Sequence, residues 1–191
     1  MLRPHLCILL WGLTIAGTCQ GAAPTEAELW QTLQRGEAVA LMRHALAPGT
    51  GDPPEFVAGD CDTQRNLSAE GRAQARAIGE RFRDNGIEAA QVYSSRWCRC
   101  LDTARLLGIG DVTPFDGLSS FFRDRDAEPE RTAATRALIA ERAAPGRPPL
   151  VLVTHQVNIT ALTGVFPGSG EMVVVRAGAD GPETLGRIDT R

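Results

Sequence analysis

Apolar positions along the chain alternate between short unbroken runs and longer stretches with helical spacing. Ala38–Met42 (AVALM) and Leu150–Thr154 (LVLVT) are the two strongest short runs beyond the N-terminus. Runs of this length without in/out alternation are expected of strands covered on both faces, as in a parallel sheet. Gln91–Ser94 (QVYS) predicts another strand, and Met172–Val175 and Thr184–Ile188 predict late strands at the sheet edge. Leu67, Gly71, Ala75, Ile78 and Phe82 share one face of a helix that Ser68 can cap and that runs to about Asp84, with Asn85-Gly86 ending it. Trp97, Leu101, Ala104 and Leu107 form a second stripe closed by Gly108. Arg131–Ala143 predicts a third helix, and Thr25–Leu33 a short N-terminal one with Leu29, Trp30 and Leu33 on one side. Residues 47–62 hold Pro48, Gly49, Gly51, Pro53 and Pro54 and predict a long loop. The alternation of strands and helices predicts an α/β fold, a three-layer α/β/α sandwich around a mostly parallel central sheet, as a single domain over 23–191.

The N-terminus does not fit that rhythm. Arg3 is followed by an apolar run from Leu6 to Ala16 and then by small residues. That pattern is a secretory signal peptide, expected to cover 1–22 and to be cleaved between Cys19 and Ala23. The expected location is periplasmic or secreted. No later run approaches the roughly 18 apolar residues of a membrane span, so no stable span is expected after cleavage. Cleavage leaves Cys61, Cys98 and Cys100. In an oxidising compartment three cysteines suggest one disulfide and one spare thiol, with Cys61 bonded to Cys98 or to Cys100.

Charge removes several function classes. The formal net charge of -3 supplies no basic field for a nucleic acid partner. All 20 basic residues are Arg, which excludes a Walker-type lysine, a Schiff base and a lysine general base.

The mature chain then has two histidines, His44 and His155, each just past the carboxyl end of one of the two most apolar strands. Open α/β sheets bind ligands at that edge, so parallel strands would bring both imidazoles to one rim. Two His could ligate zinc, but a third ligand and the HExxH or CxxC spacing are missing, so no metal and no cofactor is expected. Arg43 precedes His44, and Arg99 lies at the start of the helix after QVYS, where backbone N–H groups would also face an anion. The guanidinium fork matches phosphate oxygens. A neutral imidazole can attack phosphorus, and a protonated one can stabilise the transferring group.

Four segments, in order, resemble the motifs of the histidine phosphatase superfamily, the phosphoglycerate mutase-like group. Leu41-Met42-Arg43-His44-Ala45 is similar to its nucleophile motif, with Ala45 where Gly is usual. Arg65-Asn66-Leu67-Ser68-Ala69-Glu70-Gly71-Arg72-Ala73-Gln74-Ala75 resembles its R-x-L-T/S-x-x-G-x-x-Q-A helix start. Ser94 to Ala104 resembles S-S-x-x-x-R-x-x-x-T-A, and Val153-Thr154-His155 its second-histidine motif. The resemblance implies a metal-independent phosphatase of phosphomonoesters with His44 as the phosphohistidine-forming nucleophile and Arg43, Arg99 and His155 completing the phosphate pocket. Arg65, Arg72 and Arg96 are read as ordinary surface or packing charge. Many members protonate the leaving group with a carboxylate. Here Gln156 follows His155, and Ser120 stands about where a Glu is expected. The loop carboxylates Asp124 and Asp126 are the candidate general acids, with Asp52 and Asp60 as further ones. The secreted envelope branch, which includes lipopolysaccharide heptose-phosphate phosphatases, suggests a phosphorylated small molecule or an envelope glycan as substrate. A phosphomutase and a non-catalytic phosphate-binding protein are the competing readings. The loop 47–62 is expected to overhang the rim and shape substrate choice.

Overall fold

The computed structural model describes residues 22–190. The segment read as a signal peptide lies outside the described residues except for Ala22. The chain runs α1 (Glu26–Gln34), β1 (Val39–Arg43), α2 (Ala69–Asp84), β2 (Gln91–Ser94), α3 (Cys98–Leu107), β3 (Val112–Pro114), α4 (Glu128–Arg142), β4 (Leu150–Thr154), α5 (Gln156–Thr163), β5 (Met172–Gly178) and β6 (Gly181–Ile188). Short 3-10 turns cover Cys61–Thr63, Asp116–Leu118 and Arg125–Ala127.

The sheet order is β3-β2-β4-β1-β5-β6. β3, β2, β4 and β1 are mutually parallel, and β5 pairs antiparallel with both β1 and β6. The apolar runs are buried on both faces because helices cover both. Ala40, Met42, Val151 and Val153 face α1, α2 and α3. Val39, Leu41, Leu150 and Leu152 face α4 and α5. Alternate residues of one strand thus belong to opposite cores, as the two-residue pleat requires.

Local chemistry sets the helix ends. Thr25 caps α1 in a capping box with Glu28, and the Ser68 hydroxyl accepts from the Gly71 N–H at the start of α2. Gly108 ends α3 in the left-handed region, at φ 62°. The sequence misplaces three details. β3 was not expected: it is a three-residue edge strand ending in Pro114, too short to leave a periodic signal. β5 lies inside the sheet between β1 and β6, not at its edge. In α3 the buried stripe is Cys100, Thr103, Ala104 and Leu107, with Leu101 only half-buried. Among the described residues no helix is long and apolar enough to cross a membrane.

Two glycines let α2 approach its neighbours. A Cβ on Gly71 would stand 2.0 Å from the Leu46 carbonyl oxygen, and one on Gly79 2.0 Å from that of Leu107. Both obstacles are backbone, which cannot rotate away. Gly79→Ala should therefore destabilise the protein by about 1–3 kcal/mol through overpacking, despite the roughly 1 kcal/mol that Ala normally gains over Gly in a helix. Denaturant unfolding reads this directly, and a variant as stable as the parent would contradict the close packing.

Candidate active site

β1 and β4 pair in register, with Arg43 opposite Thr154, so the next residues, His44 and His155, leave the sheet side by side. Their ring centroids are 5.6 Å apart, and both side chains are buried. The ladder continues one step further, since the His44 N–H donates to the Thr154 carbonyl at 2.9 Å.

Hydrogen bonds select the tautomers. His44 Nδ1 lies 2.8 Å from the Ala45 carbonyl oxygen. That oxygen can only accept, so Nδ1 carries the proton and Nε2 of the neutral ring holds a free lone pair. His155 is held the other way round. Arg99 Nη2 approaches His155 Nδ1 at 3.5 Å, and a guanidinium can only donate. His155 Nε2 then carries the proton toward the Ser95 hydroxyl oxygen, 2.8 Å away. Burial, and then the charge of Arg99, push the pKa of each imidazole well below its ordinary value. Both rings are neutral at pH 7.

Arg43 and Arg99 line one pocket with the two histidines, and its volume is about 270 Å³. Arg43 Nη1 donates to the Pro167 carbonyl at 3.0 Å. Arg99 is almost wholly buried, and its two terminal nitrogens grip the Asp52 carboxylate at 2.6 and 3.2 Å. The Nε atoms of both arginines are buried without a hydrogen-bond partner. A buried donor left unpaired costs about 1–3 kcal/mol. Both belong to residues that line the pocket, and neither has an acceptor within the protein.

Arg65 corrects the sequence reading. It lines this pocket and donates to the carbonyls of Gly51 and Ala47. Burial and the neighbouring Arg99 bring its pKa down to about 10, so it stays charged at neutral pH. Arg72 and Arg96 are ordinary, as expected: Arg72 braces the Leu67 carbonyl, and exposed Arg96 pairs with Asp116. The start of α3 offers less to an anion than expected, because Gln64 Oε1 takes the Cys98 N–H at 3.0 Å and Ser95 Oγ takes the Trp97 N–H.

The loop 47–62 straps this pocket. Cys61 and Cys98 form a disulfide that ties the end of the loop to the first residue of α3. Cys100 is the spare thiol. It is buried 3.5 Å from His155 Nε2, and burial raises its pKa to about 12, so it is not a thiolate nucleophile. Asp52 is the centre of the strap, accepting also from Trp97 Nε1 at 3.0 Å and the Arg65 N–H at 3.2 Å. Burial alone would raise its pKa, but the bonds and charge of Arg99 outweigh this and hold it below the usual carboxylate range. Asp52 is therefore an ionised partner of Arg99 and no proton donor. Asp60 is spent capping the turn at Cys61–Thr63. Of the candidate acids, Asp124 lines the pocket at its exposed rim, whereas Asp126 does not line it. Ser120 also lines it, in the stretch where a Glu was expected. Sequence reasoning assigned no role to Ser95, although it stands in the quoted S-S block.

Two outcomes follow from these charges. Asp52→Ala leaves Arg99 buried and uncompensated, and loss of one partner of a buried pair typically costs about 3–5 kcal/mol. Inorganic phosphate should then raise the melting temperature of the variant more than that of the parent; equal shifts would show that Arg99 does not face the anion. Separately, the two imidazoles resist protonation only in the folded state. The unfolded chain gains protons below pH about 6.5 that the native chain refuses. Stability conferred by the neutral rings is complete above that pH and falls as the pH is lowered, by up to about 1.4 kcal/mol per unit for each histidine. Urea unfolding between pH 7.5 and 5.5 measures the slope, and a His155→Asn variant should show a shallower one.

Comparison with known proteins agrees with this geometry. Residues 39–119 match the model of the histidine phosphatase superfamily, branch 1. No curated protein sequence matches the chain. Among solved structures, the protein histidine phosphatase SixA complexed with tungstate is 16% identical with a TM-score of 0.55, over 80% of this chain and 97% of that one. Phosphoserine phosphatase from Entamoeba histolytica, in complex with 3-phosphoglyceric acid, is 14% identical with a TM-score of 0.58, over 81% and 98%. A mycobacterial glucosyl-3-phosphoglycerate phosphatase with inorganic phosphate is 19% identical with a TM-score of 0.56, over 81% and 97%. At these identities the likeness is one of fold. The matched segment carries Arg43, His44 and Arg99, and the sheet brings His155 to them, so over 39–119 the chain is similar to the histidine phosphatase superfamily and shares its fold.

Proposed function

We propose that this protein is a phosphatase that hydrolyses phosphomonoesters without a metal, through a covalent phosphohistidine on His44. The observation that carries the reading is the pair of buried, unpaired Nε donors of Arg43 and Arg99 beside a neutral imidazole whose Nε2 is deprotonated. An anion receptor thus surrounds a ready nucleophile. The guanidinium groups bind the phosphoryl oxygens and hold phosphorus before His44. His44 Nε2 forms the N–P bond while the bond from phosphorus to the ester oxygen breaks, and the leaving oxygen keeps the electron pair. Water then attacks phosphorus, the N–P bond breaks, and inorganic phosphate leaves with His44 restored. A bound phosphate dianion opposes the positive field that keeps His155 neutral. His155 Nδ1 then takes a proton from solvent, and both it and Arg99 Nη2, which gives up its approach to that nitrogen, donate to the phosphoryl oxygens and stabilise the transferring group. Asp124, at the rim, is the proton donor for poor leaving groups; Asp126 is the weaker candidate.

The proposed location is the periplasm or the cell exterior. The signal-peptide pattern over 1–22 supports it, and so does the Cys61–Cys98 disulfide, since such bonds persist in oxidising compartments.

Hydrolysis of p-nitrophenyl phosphate tests the mechanism. His44→Ala should lower kcat by roughly 10⁴-fold or more, EDTA should leave the rate unchanged, and vanadate should inhibit competitively. Asp124→Asn should slow an unactivated alkyl phosphate by about 10²–10⁴ and p-nitrophenyl phosphate far less. Turnover that survives His44→Ala, or that EDTA abolishes, would overturn the proposal. Phosphate binding without turnover would favour the non-catalytic alternative.

A further inference from the structure

The mouth of the pocket differs in character from its base. The base is cationic and imidazole-lined, whereas three aromatic rings, Phe56, Trp97 and Phe122, stand among the residues that line the rest. Phe56 stacks on Trp97 with centroids 5.0 Å apart and planes 17° off parallel. Trp97 in turn meets His155 edge-on at 5.4 Å, so the aromatic wall begins where the phosphoryl site ends. Asp52 fixes the indole through Nε1. Phe122 lies on the other lining segment, its ring edge 3.9 Å from where a Cβ on Gly51 would stand. It is 47% exposed, although the adjacent Phe121 is fully buried. An exposed phenyl on a pocket rim, with the Arg125 guanidinium 5.8 Å from its centroid, is a contact surface that the folded core does not use.

Polar side chains around the rings are largely committed within the protein. Gln156 Nε2 donates to the Thr160 hydroxyl at 2.8 Å, Ser120 Oγ accepts the Phe122 N–H, and Arg123 donates to the Pro53 carbonyl. Arg131 donates to the Ser120 carbonyl at 2.5 Å. A polyhydroxylated leaving group needs several convergent free donors and acceptors, whereas beside the three rings only the Thr50 and Asp124 side chains, of the polar ones lining the pocket, are without a bond described above. The whole pocket, base included, has a volume of about 270 Å³, below the ~300–1,000 Å³ usual for ligand pockets, so what is left beyond a phosphoryl group suits a compact substituent. The chemistry at the base agrees independently. No buried carboxylic acid stands ready to protonate an alkoxide: Asp52 is ionised against Arg99, Ser120 occupies the expected acid region, and Asp124, the donor proposed above, is a solvent-exposed carboxylate at the rim. A phenolate, with a conjugate-acid pKa near 10 for a tyrosine-like phenol, leaves with much less help.

We infer that the substrate is an aryl phosphomonoester, a phosphorylated phenol whose single ring packs against Phe122 and the Phe56–Trp97 wall. This rests on the phosphatase reading above and narrows it. The step is the one already written, with the phenolic oxygen taking the electron pair from phosphorus.

Non-hydrolysable ligands test ring recognition apart from leaving-group reactivity. Calorimetric titration of the disulfide-bonded protein with phenylphosphonate and with methylphosphonate should show at least about tenfold tighter binding of the phenyl compound, the scale of a favourable aromatic contact plus its burial. In Phe122→Ala and in Phe56→Leu that ratio should fall below about threefold. Phe122 is at the surface, so its truncation leaves the core intact. Methylphosphonate binding with no phenyl preference, a preference untouched by both variants, or tighter binding of a hexose phosphonate overturns the aryl assignment and leaves the phosphatase standing. Failure of every phosphonate to bind overturns both.

Discussion

Two parallel strands that end at the same level impose everything else on this site. Because β1 and β4 are neighbours in register, the residues after Arg43 and Thr154 must emerge together, on one rim and with their rings 5.6 Å apart. Neither strand can slip, since moving either by one residue would send its side chains into the wrong core. The price is burial of two imidazoles among guanidinium groups. That environment keeps both rings neutral, which suits a nucleophile. The positive charge gathered in the pocket and the neutrality of its imidazoles are thus one electrostatic fact seen from two sides.

That fact also explains what was legible in the sequence. His44 and His155 could be placed because they follow the two most apolar runs, and burial on both faces is written directly in composition. Arg43 and Arg99 came with the family's motifs. Arg65 was misread because its sequence environment is that of a loop end, and it becomes part of the pocket only because the strap folds its carbonyls over the guanidinium. Asp52 was misread for the same reason: among prolines and glycines it looks like a free loop carboxylate, and nothing local announces a buried partner 47 residues away. The choice of Cys98 over Cys100 was equally closed to sequence. Both stand in the first turn of α3, and only the fold shows that Cys98 faces the strap while Cys100 faces the core. β3 fell below detection because three edge residues carry no period.

The strap is irregular backbone given rigidity by other means. A disulfide closing a sequence separation of 37 restrains the unfolded chain by about 4 kcal/mol on a chain-entropy estimate. In the folded protein it joins the loop to α3 one residue before Arg99. Asp52 then fastens the same loop to the Arg99 head group and to the Trp97 ring. One segment therefore sets the position of the Arg99 head group and of a pocket wall together. Movement of the loop would disturb both, which is a physical reason for a covalent tie at this point.

Division of labour between base and mouth follows from the same arrangement. In the proposed reaction, fixed cations at the base would recognise a phosphoryl group whatever it is attached to, so they could not distinguish one ester from another. Discrimination falls to the segments that overhang the rim, 47–62 and 119–124, because only they reach the leaving group. In these segments the chain departs from the family's pattern, with Ser120 in the acid region and Phe122 turned outward. A rim whose proposed proton donor is an exposed carboxylate, Asp124, and that also presents ring faces would make binding and bond cleavage favour the same kind of leaving group, one that is flat, apolar and stable as an anion.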